Sequence, residues 1–418
     1  MSGAQPDSTS NTGARRIPIP LPSTEQTANR VTTFELFFDL VYVFAFTQVS
    51  RLMAETHSAT GILQALIVLS LMWWTWVGFS WISNQASADQ PFLRTVMTLA
   101  MIAVFIAALT IPEAYEDLEG GWNGPLVFAG AYAAVRIIHI GLYLVVARRD
   151  PAMRRQVLIF TAAMVPAVSL IFVGAAIGGD AQIWVWLIAM VYDVVATRIG
   201  SVLGRGWRLP SAEHWAERHG LVVILALGES IVAIGVGVAR EPIDGQIMLG
   251  SAASVVISVL LWWSYFARLA AFGEHALMRR DGQARAILGA DAYSYAHFVI
   301  IAGIIVTALG VEDAMKHVDD VEPFGWFGAI ALGAGIAMFA AGTVVFALLV
   351  GLRRPIMRAI EAVLLIAAIP LLATVAPLAA LVIAVTLTGV VAIIESRLHH
   401  RADAAYGGHE PESAESSP

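Results

Sequence analysis

The stretch Val31–Ser50, VTTFELFFDLVYVFAFTQVS, is long enough and apolar enough to cross a bilayer as a helix. It nevertheless carries Glu35 and Asp39 near its start and Gln48 near its end. Glu35 and Asp39 lie one helical turn apart, so both carboxylates project from one face. Because a carboxylate inside hydrocarbon is costly, this face is predicted to lie against protein or a wet cavity.

Glu35 has a local interpretation as well. Thr32 and Glu35 stand three residues apart before an apolar run, which is the pattern of a capping box. On that interpretation Glu35 serves only the first turn of the helix. Asp39 lies deeper, and the cost of a charge there leads us to expect a functional role or a place in a buried polar network.

The composition of the whole chain is that of a membrane protein. Of its 418 residues, 58% are hydrophobic and 14% are charged, and the mean hydropathy is +0.73. A soluble domain has about 25% charged residues. We therefore predict an all-α, polytopic integral membrane protein with about twelve transmembrane helices of about 20 residues each. The predicted spans are 32–51, 61–83, 92–112, 122–147, 155–177, 181–203, 218–239, 246–270, 292–312, 325–351, 358–375 and 377–396, and one long kinked segment is the alternative for the last two.

The two ends of the chain differ from this apolar region. Residues 1–30 are rich in Ser, Thr, Pro and Gly and lack the apolar core of a signal peptide, which predicts a disordered cytoplasmic arm. Residues 398–418 predict a disordered tail. With both termini in the cytoplasm, most of the 25 Lys and Arg fall on the cytoplasmic side, as the positive-inside rule requires. The opposite loops at 113–119 and 312–322 are acidic.

The two halves of the chain carry similar short motifs in the same order. Interfacial anchoring alone could produce such Trp and Arg pairs, but three matches in order favour a duplication. We expect two six-helix repeats, 31–203 and 204–397, inserted in the same orientation about an axis along the membrane normal. This places Gln48 opposite Glu229. The matches are Trp73-Trp74-Thr75-Trp76 with Trp262-Trp263-Ser264-Tyr265, Gly121-Trp122-Asn123-Gly124 with Gly325-Trp326-Phe327-Gly328, and Arg148-Arg149 with Arg353-Arg354.

Further polar residues lie inside predicted spans. Arg136 and His139 share a face of the fourth span, and Asp193 in the sixth has comparable depth, so we expect Arg136 and Asp193 to pair. Such a pair can be purely architectural. Glu229 lies at mid-depth in the seventh span, beside glycines that permit close packing or local unwinding. The pathway or binding candidates are Glu35, Asp39, Gln48, Arg136, His139, Asp193, Glu217, His219, Glu229 and His297, with Asn84, Asp89, Trp76, Tyr265 and Tyr295 as secondary candidates.

The sequence lacks the common signatures of catalysis and metal binding. It has no cysteine, no H-E-x-x-H, no G-x-S-x-G and no phosphate-binding Gly-rich loop. His214, Glu217 and His219 approach an H-x-x-E-H arrangement, but the inserted Arg218 moves His219 off the shared face. We therefore assign no catalytic residue, no metal and no cofactor. The modest net charge of -7 gives no reason to expect a nucleic-acid partner.

Together the motifs resemble those of the bacterial low-temperature-requirement protein A (LtrA) family over about residues 31–397. The resemblance implies a polytopic bacterial inner-membrane protein with no settled biochemical activity. More distantly, Phe38-Asp39 is similar to part of the F-S-D motif of potassium channels built from six-span repeats, but Phe38 stands in the serine position. The family resemblance lies in Glu35-Leu-Phe-Phe-Asp39 with Gln48, Trp74-x-Trp76 followed by Asn84 and Asp89, Glu217-Arg-x-Gly220 with Leu227-Gly-Glu229, Trp262-Trp-x-Tyr-Phe266, and Tyr295-x-His297.

Three functions are compatible with these residues. The leading hypothesis is a transporter or channel for a small cation, a proton or a small solute, with Asp39 and Glu229 as binding sites. An intramembrane enzyme acting on a lipid-like substrate is less favoured and would use Glu217, His219 or His297. In a sensor or scaffold the charges would only hold helices together. The expected partners are the bilayer and an unknown small ion or solute, and a homo-oligomer is left open.

Overall fold

The computed structural model describes residues 30–204, 206–239, 241–352 and 355–407, and these residues form helices and connecting turns. Residues 1–29 and 408–418, which include most of the two predicted tails, lie outside the described residues. The helices are α1 (Thr33–Thr56), α2 (Ala59–Gln85), α3 (Pro91–Leu109), α4 (Gly124–Val146), α5 (Pro151–Ile177), α6 (Gly179–Gly204), α7 (Ala212–Gly237), α8 (Gly245–Phe266), α9 (Leu269–Met278), α10 (Gly282–Leu288), α11 (His297–Lys316), α12 (Gly325–Leu349), α13 (Ile356–Thr374) and α14 (Pro377–Gly407).

Twelve helical segments in the described residues are long and apolar enough to cross a membrane. The protein is therefore an all-α, multi-pass membrane protein, as the composition predicts. Three segments are composite: α4 continues into a 3-10 helix at Ala147–Arg149, α8 continues into α9, and α10 is joined to α11 by a π-helix at Gly289–Ala296. The last two predicted spans are separate helices, because Pro377 opens α14 at a position where proline is tolerated.

Several boundaries differ from the predicted ones. Helix α7 begins at Ala212 rather than at 218, because the Ser211 side chain accepts a hydrogen bond from the His214 backbone and caps the helix. The ninth span, predicted at 292–312, occupies Gly282–Lys316. Both additions bring polar residues into the helical bundle that the sequence places in loops.

Helix α1 shows how one helix serves both lipid and protein. Phe37 and Leu40 are more than half exposed on its outer surface, whereas Phe38, Asp39 and Tyr42 are fully buried. Large apolar side chains on the outer surface are expected where lipid rather than water surrounds a helix. The inner face of α1 therefore carries its polar groups toward other helices.

The same helix pairs are in contact in the two halves of the chain. In the first half α1 contacts α2 and α3, and α3–α4, α4–α5, α5–α6 and α2–α6 also pack together. In the second half α7 contacts α8 and α11, and α11–α12, α12–α13, α13–α14 and α8–α14 pack together. The halves meet where α1 and α2 contact α7 and α11. Glu35, Asp39 and Arg218 are buried at this junction.

Small residues bring α11 and α12 together. A Cβ added at Gly303 or Gly310 of α11 would collide with backbone atoms of Phe339 or Leu332 in α12. Helices in membranes approach this closely where glycine removes the side chain from the interface. In contrast, Gly228 and Gly235 have open space around them, and α7 is continuous, so the local unwinding considered for these glycines is absent from the described helix.

Candidate functional site

The first turn of α1 confirms the capping box and also gives Glu35 a longer-range role. The Thr32 hydroxyl accepts a hydrogen bond from the Glu35 backbone N–H at 3.2 Å. The Thr32 backbone N–H in turn donates to Glu35 Oε2 at 2.8 Å. The other carboxylate oxygen, Oε1, is directed at α7. Glu35 therefore caps its own helix with one oxygen and bonds a second helix with the other.

A buried arginine on α7 joins the two carboxylates of α1. Arg218 Nη1 lies 2.8 Å from Glu35 Oε1, and Arg218 Nη2 donates to Asp39 Oδ1 at 2.7 Å. Its Nε donates to the Ser80 hydroxyl of α2 at 3.0 Å. Arg218 and Asp39 are 0% exposed and Glu35 is 1% exposed, so water does not screen the pairs. Glu35, Asp39, Arg218 and the adjacent His214 form what we call the α1–α7 cluster.

Hydrogen bonds determine the protonation of His214. Its Nε2 lies 3.0 Å from Glu35 Oε1, so this nitrogen carries a proton and donates it to the carboxylate. Its Nδ1 lies 3.2 Å from the Asn84 amide nitrogen. The Asn84 amide is oriented by Ser211, whose carbonyl accepts from the Asn84 nitrogen and whose N–H donates to the Asn84 oxygen. The Nδ1 atom is therefore an acceptor, and the imidazole is neutral.

Polar contacts continue along α1 beyond the cluster. Trp76 Nε1 donates to Asp39 Oδ1 at 2.8 Å, and the Tyr42 hydroxyl lies 3.0 Å from that of Thr75. Further along, the Thr47 hydroxyl donates to Glu229 on α7 at 2.6 Å. Gln48, the position that the repeat comparison matches to Glu229, is half-buried, and Thr47 beside it makes the contact to Glu229.

The expected pair between α4 and α6 is present. Arg136 Nη2 lies 3.0 and 3.3 Å from the two oxygens of Asp193, and both side chains are buried. The guanidinium also lies over the Phe160 ring at 5.2 Å. His139, one turn along α4, packs its ring against Tyr143 and Phe160 rather than joining the ion pair. The pair and His139 are thus separate from the α1–α7 cluster.

A group of aromatic and imidazole rings surrounds the π-helix. His297 Nδ1 lies 2.9 Å from the Ala292 carbonyl and therefore carries the proton, so Nε2 accepts from the Tyr265 hydroxyl at 2.7 Å. His219 lies 5.2 Å from His297 between ring centroids and bonds the Trp215 carbonyl through Nδ1. Single π-helical turns are frequent at functional sites. Here the π-helix directs His297 into the bundle.

Other predicted residues are not gathered into a site. Glu217 is exposed and accepts a hydrogen bond from the Val31 backbone at 3.0 Å. Asp89 is exposed and bonds Arg94, while Tyr295 packs on Trp74. Glu217 bonds Val31, whereas His214 bonds Glu35 and His219 bonds Trp215. The near-match to H-x-x-E-H therefore does not form one metal or catalytic centre. Among the described residues, no three His, Asp or Glu side chains converge as metal ligands.

The residue that sequence reasoning misplaced is Arg218. The predicted span 218–239 and the charge count put Arg218 at the cytoplasmic end of the seventh helix, but it is fully buried at the centre of the α1–α7 cluster. The signal is a matched spacing: His214 and Arg218 are four apart on α7, as Glu35 and Asp39 are on α1. Two basic groups and two acidic groups with the same helical spacing favour pairing across two helices.

Comparisons with known proteins agree with the resemblance in the motifs. The family described as "Bacterial low temperature requirement A protein (LtrA)" matches residues 30–393. Uncharacterized protein RA0937 of Rhizobium meliloti (strain 1021) is 27% identical over 331 residues, which cover 74% of this chain and 75% of that protein. No solved structure matches the chain.

Proposed function

We propose that this chain, which belongs to the bacterial low temperature requirement A (LtrA) family, is a transporter that carries protons, or a small solute together with a proton, across the bacterial inner membrane. The proton site is the α1–α7 cluster. Charged groups inside transmembrane helices commonly belong to ion and proton pathways.

The cluster contains one more negative than positive charge. Glu35 and Asp39 carry two negative charges, Arg218 carries one positive charge, and His214 is neutral by its hydrogen bonds. An unbalanced charge is expensive in a buried environment. Binding one proton makes the cluster neutral. Asp39 Oδ2 is buried and has no hydrogen-bond partner in the described part of the chain, so a proton can bind there without displacing a contact. This unpaired carboxylate oxygen, in a cluster with one excess negative charge, is the observation that carries the proposal.

The position of the cluster suits a route between two halves. Polar contacts between α1 and its neighbours extend from Glu35 to Thr47, a rise of about 18 Å along the helix axis. The hydrocarbon layer is about 30 Å thick. The recurrence of the same helix pairs in both halves supports the proposed six-helix repeats, with α1 and α7 as the first helix of each. In transporters built from repeats, binding sites lie at the repeat interface.

Reconstitution tests this proposal. Purified protein is placed in liposomes loaded with a pH-sensitive dye, and a potassium diffusion potential with valinomycin drives proton entry. We expect proton flux above that of protein-free liposomes, and its loss in Asp39→Asn. Glu361→Gln is the matched control, because Glu361 is a buried carboxylate of α13 outside the cluster. Flux in Asp39→Asn equal to that of the unmodified protein would refute the role of Asp39.

A scaffold or sensor is the second candidate, and one observation favours it. Asp39 and Glu229 each have their own local partners, and neither lines any of the cavities described below. If the charges only hold helices together, liposomes containing the unmodified protein will conduct no more than empty ones, while Asp39→Asn will still lower the melting temperature. The enzyme hypothesis has no comparable support, since Glu217 is separated from His219 and His297.

A further inference from the structure

A cavity lies apart from the α1–α7 cluster, between α2, α4, α5, α6 and the segment formed by α10 and the π-helix. The space in it that is open to the centres of water-sized molecules is about 60 Å³, whereas one water needs about 10–15 Å³ of such space. The cavity therefore has room for a small polar head group, and it is mostly apolar with a few polar groups, as sites for small molecules are. We call it the aromatic cavity, because its walls include the rings of Trp74, Trp81, Tyr143, Phe160, Trp207 and Tyr295.

Four side chains that line the aromatic cavity carry polar atoms without partners. These atoms are buried and make no hydrogen bond within the described part of the chain: His139 Nε2, Tyr143 OH, Thr197 Oγ1 and Ser294 Oγ. Tyr143 is 1% exposed, Ser294 2% and His139 4%. Native proteins leave few buried polar groups unpaired, because each one is costly. Four of them around one cavity indicate a ligand that offers hydrogen bonds.

The charges around the cavity indicate that this ligand is uncharged. Arg198 lines the cavity, but its guanidinium is already paired with Asp291: Nε lies 2.9 Å from Oδ1 and Nη2 lies 3.0 Å from Oδ2. A two-point pair of this kind satisfies both groups. Gln283 and the hydroxyl groups in the wall are neutral. An ion entering the cavity would find no unpaired countercharge among Arg198 and its neighbours.

The cavity adjoins the lipid. Arg198 and Tyr295 also line an apolar groove on the outer surface, between α6 and the helices that follow the π-helix. The groove side chains Val195, Ile199 and Val345 are about half exposed, as lipid-facing residues are. Arg198 and Tyr295 line both the groove and the cavity, and Asp291, the partner of Arg198, lines the groove. The same side chains thus separate the cavity from the bilayer.

We propose that the aromatic cavity binds an uncharged amphiphile dissolved in the membrane. Its hydroxyl or carbonyl head bonds the unpaired groups of His139, Tyr143, Thr197 and Ser294, and its apolar chain lies toward the lipid-facing groove. The ligand enters from the bilayer between α6 and the π-helix. This binding site does not depend on the proton site, because it shares no residue with the α1–α7 cluster.

Photolabelling tests the proposal. The full chain in lipid nanodiscs is irradiated with octadecanol that carries a diazirine next to the hydroxyl group, and labelled peptides are located by mass spectrometry. We expect labelling at cavity residues of α2 and α4, suppressed by excess unlabelled octadecanol and unaffected by an equal excess of stearate at pH 9. Labelling confined to lipid-facing positions, or suppression by stearate as strong as by octadecanol, would overturn the proposal.

Two variants distinguish binding of octadecanol in the cavity from its partitioning into the surrounding lipid. Tyr143→Phe with Thr197→Val removes two unpaired hydroxyls with little change of shape, and we expect octadecanol to compete about tenfold less well. Ser230→Ala is the matched control, because Ser230 has an unpaired buried hydroxyl outside the cavity. Its competition curve should equal that of the unmodified protein. Equal curves for all three proteins would contradict the proposal. If the double variant does not fold, Ser294→Ala replaces it with the same expectation and the same contradicting result.

Discussion

Arg218 pairs with two carboxylates that would otherwise be buried together without a cation. Removing one partner of a buried ion pair leaves an uncompensated charge, which costs about 3–5 kcal/mol. We therefore expect Arg218→Gln to lower the free energy of unfolding by about that amount, measured by thermal unfolding in detergent. Asp39→Asn added to Arg218→Gln should recover part of the loss, because it removes the uncompensated charge.

The control for this prediction is an exposed ion pair. Arg94 bonds Asp89 at 2.9 Å, and both side chains are more than half exposed. Surface pairs contribute at most about 1 kcal/mol. Arg94→Gln should therefore change the melting temperature little. If Arg94→Gln and Arg218→Gln lower the melting temperature by similar amounts, burial does not determine how much the cluster contributes to stability.

Substitution of Tyr265 tests its hydrogen bond to His297 beside the π-helix. Its hydroxyl donates to His297 Nε2 at 2.7 Å, and both side chains are buried. We expect Tyr265→Phe to lower the free energy of unfolding by about 1–3 kcal/mol, since it leaves a buried acceptor unpaired. Phe266→Leu, at the next position of α8, keeps this bond and serves as the comparison. Unchanged stability in Tyr265→Phe would show that another group satisfies His297.

Glycines determine how closely α11 and α12 pack. We expect Gly303→Ala to destabilise the protein, because the added Cβ collides with the backbone of Phe339. Gly235→Ala is the matched control: it lies in a transmembrane helix with open space around it, so the higher helix propensity of alanine should leave stability equal or raise it by up to about 1 kcal/mol. Melting temperatures of the two variants should therefore move apart. A lower melting temperature in both variants would indicate that alanine is not tolerated at glycine positions in general.

At the scale of whole helices, the sequence predicts where the helices lie but not which helices contact each other. Apolar runs and caps such as Thr32 with Glu35 are local features, so the sequence alone indicates where helices begin. The partner of Asp39 is Arg218, which lies far away along the chain, and only tertiary packing brings the two together. The pair of Arg136 and Asp193 was predictable because both lie in hydrocarbon with opposite charge. The aromatic cavity has no signature in the sequence, since its walls come from six separate segments.

The whole molecule has an expected orientation that can be measured. The chain has no cysteine, so a single introduced cysteine is the only thiol. Val321 is 92% exposed in the acidic loop before α12, and Asp281 is exposed at the opposite end of the bundle, before α10. If the distribution of arginines follows the positive-inside rule, Val321→Cys reacts with a membrane-impermeant maleimide in intact cells, and Asp281→Cys reacts only after permeabilisation. The reverse pattern would invert the predicted topology.

The ion pairs between α1 and α7 also have a consequence for the synthesis of the chain. A ribosome adds about 5–20 residues per second, so α1 waits roughly 10–40 s for Arg218 to be synthesised. During that interval Glu35 and Asp39 lack the Arg218 counterion. In the nascent first half, these carboxylates must therefore be solvated by water, by lipid headgroups or by an insertion chaperone. Chains truncated before α7 should therefore be degraded faster than the full chain.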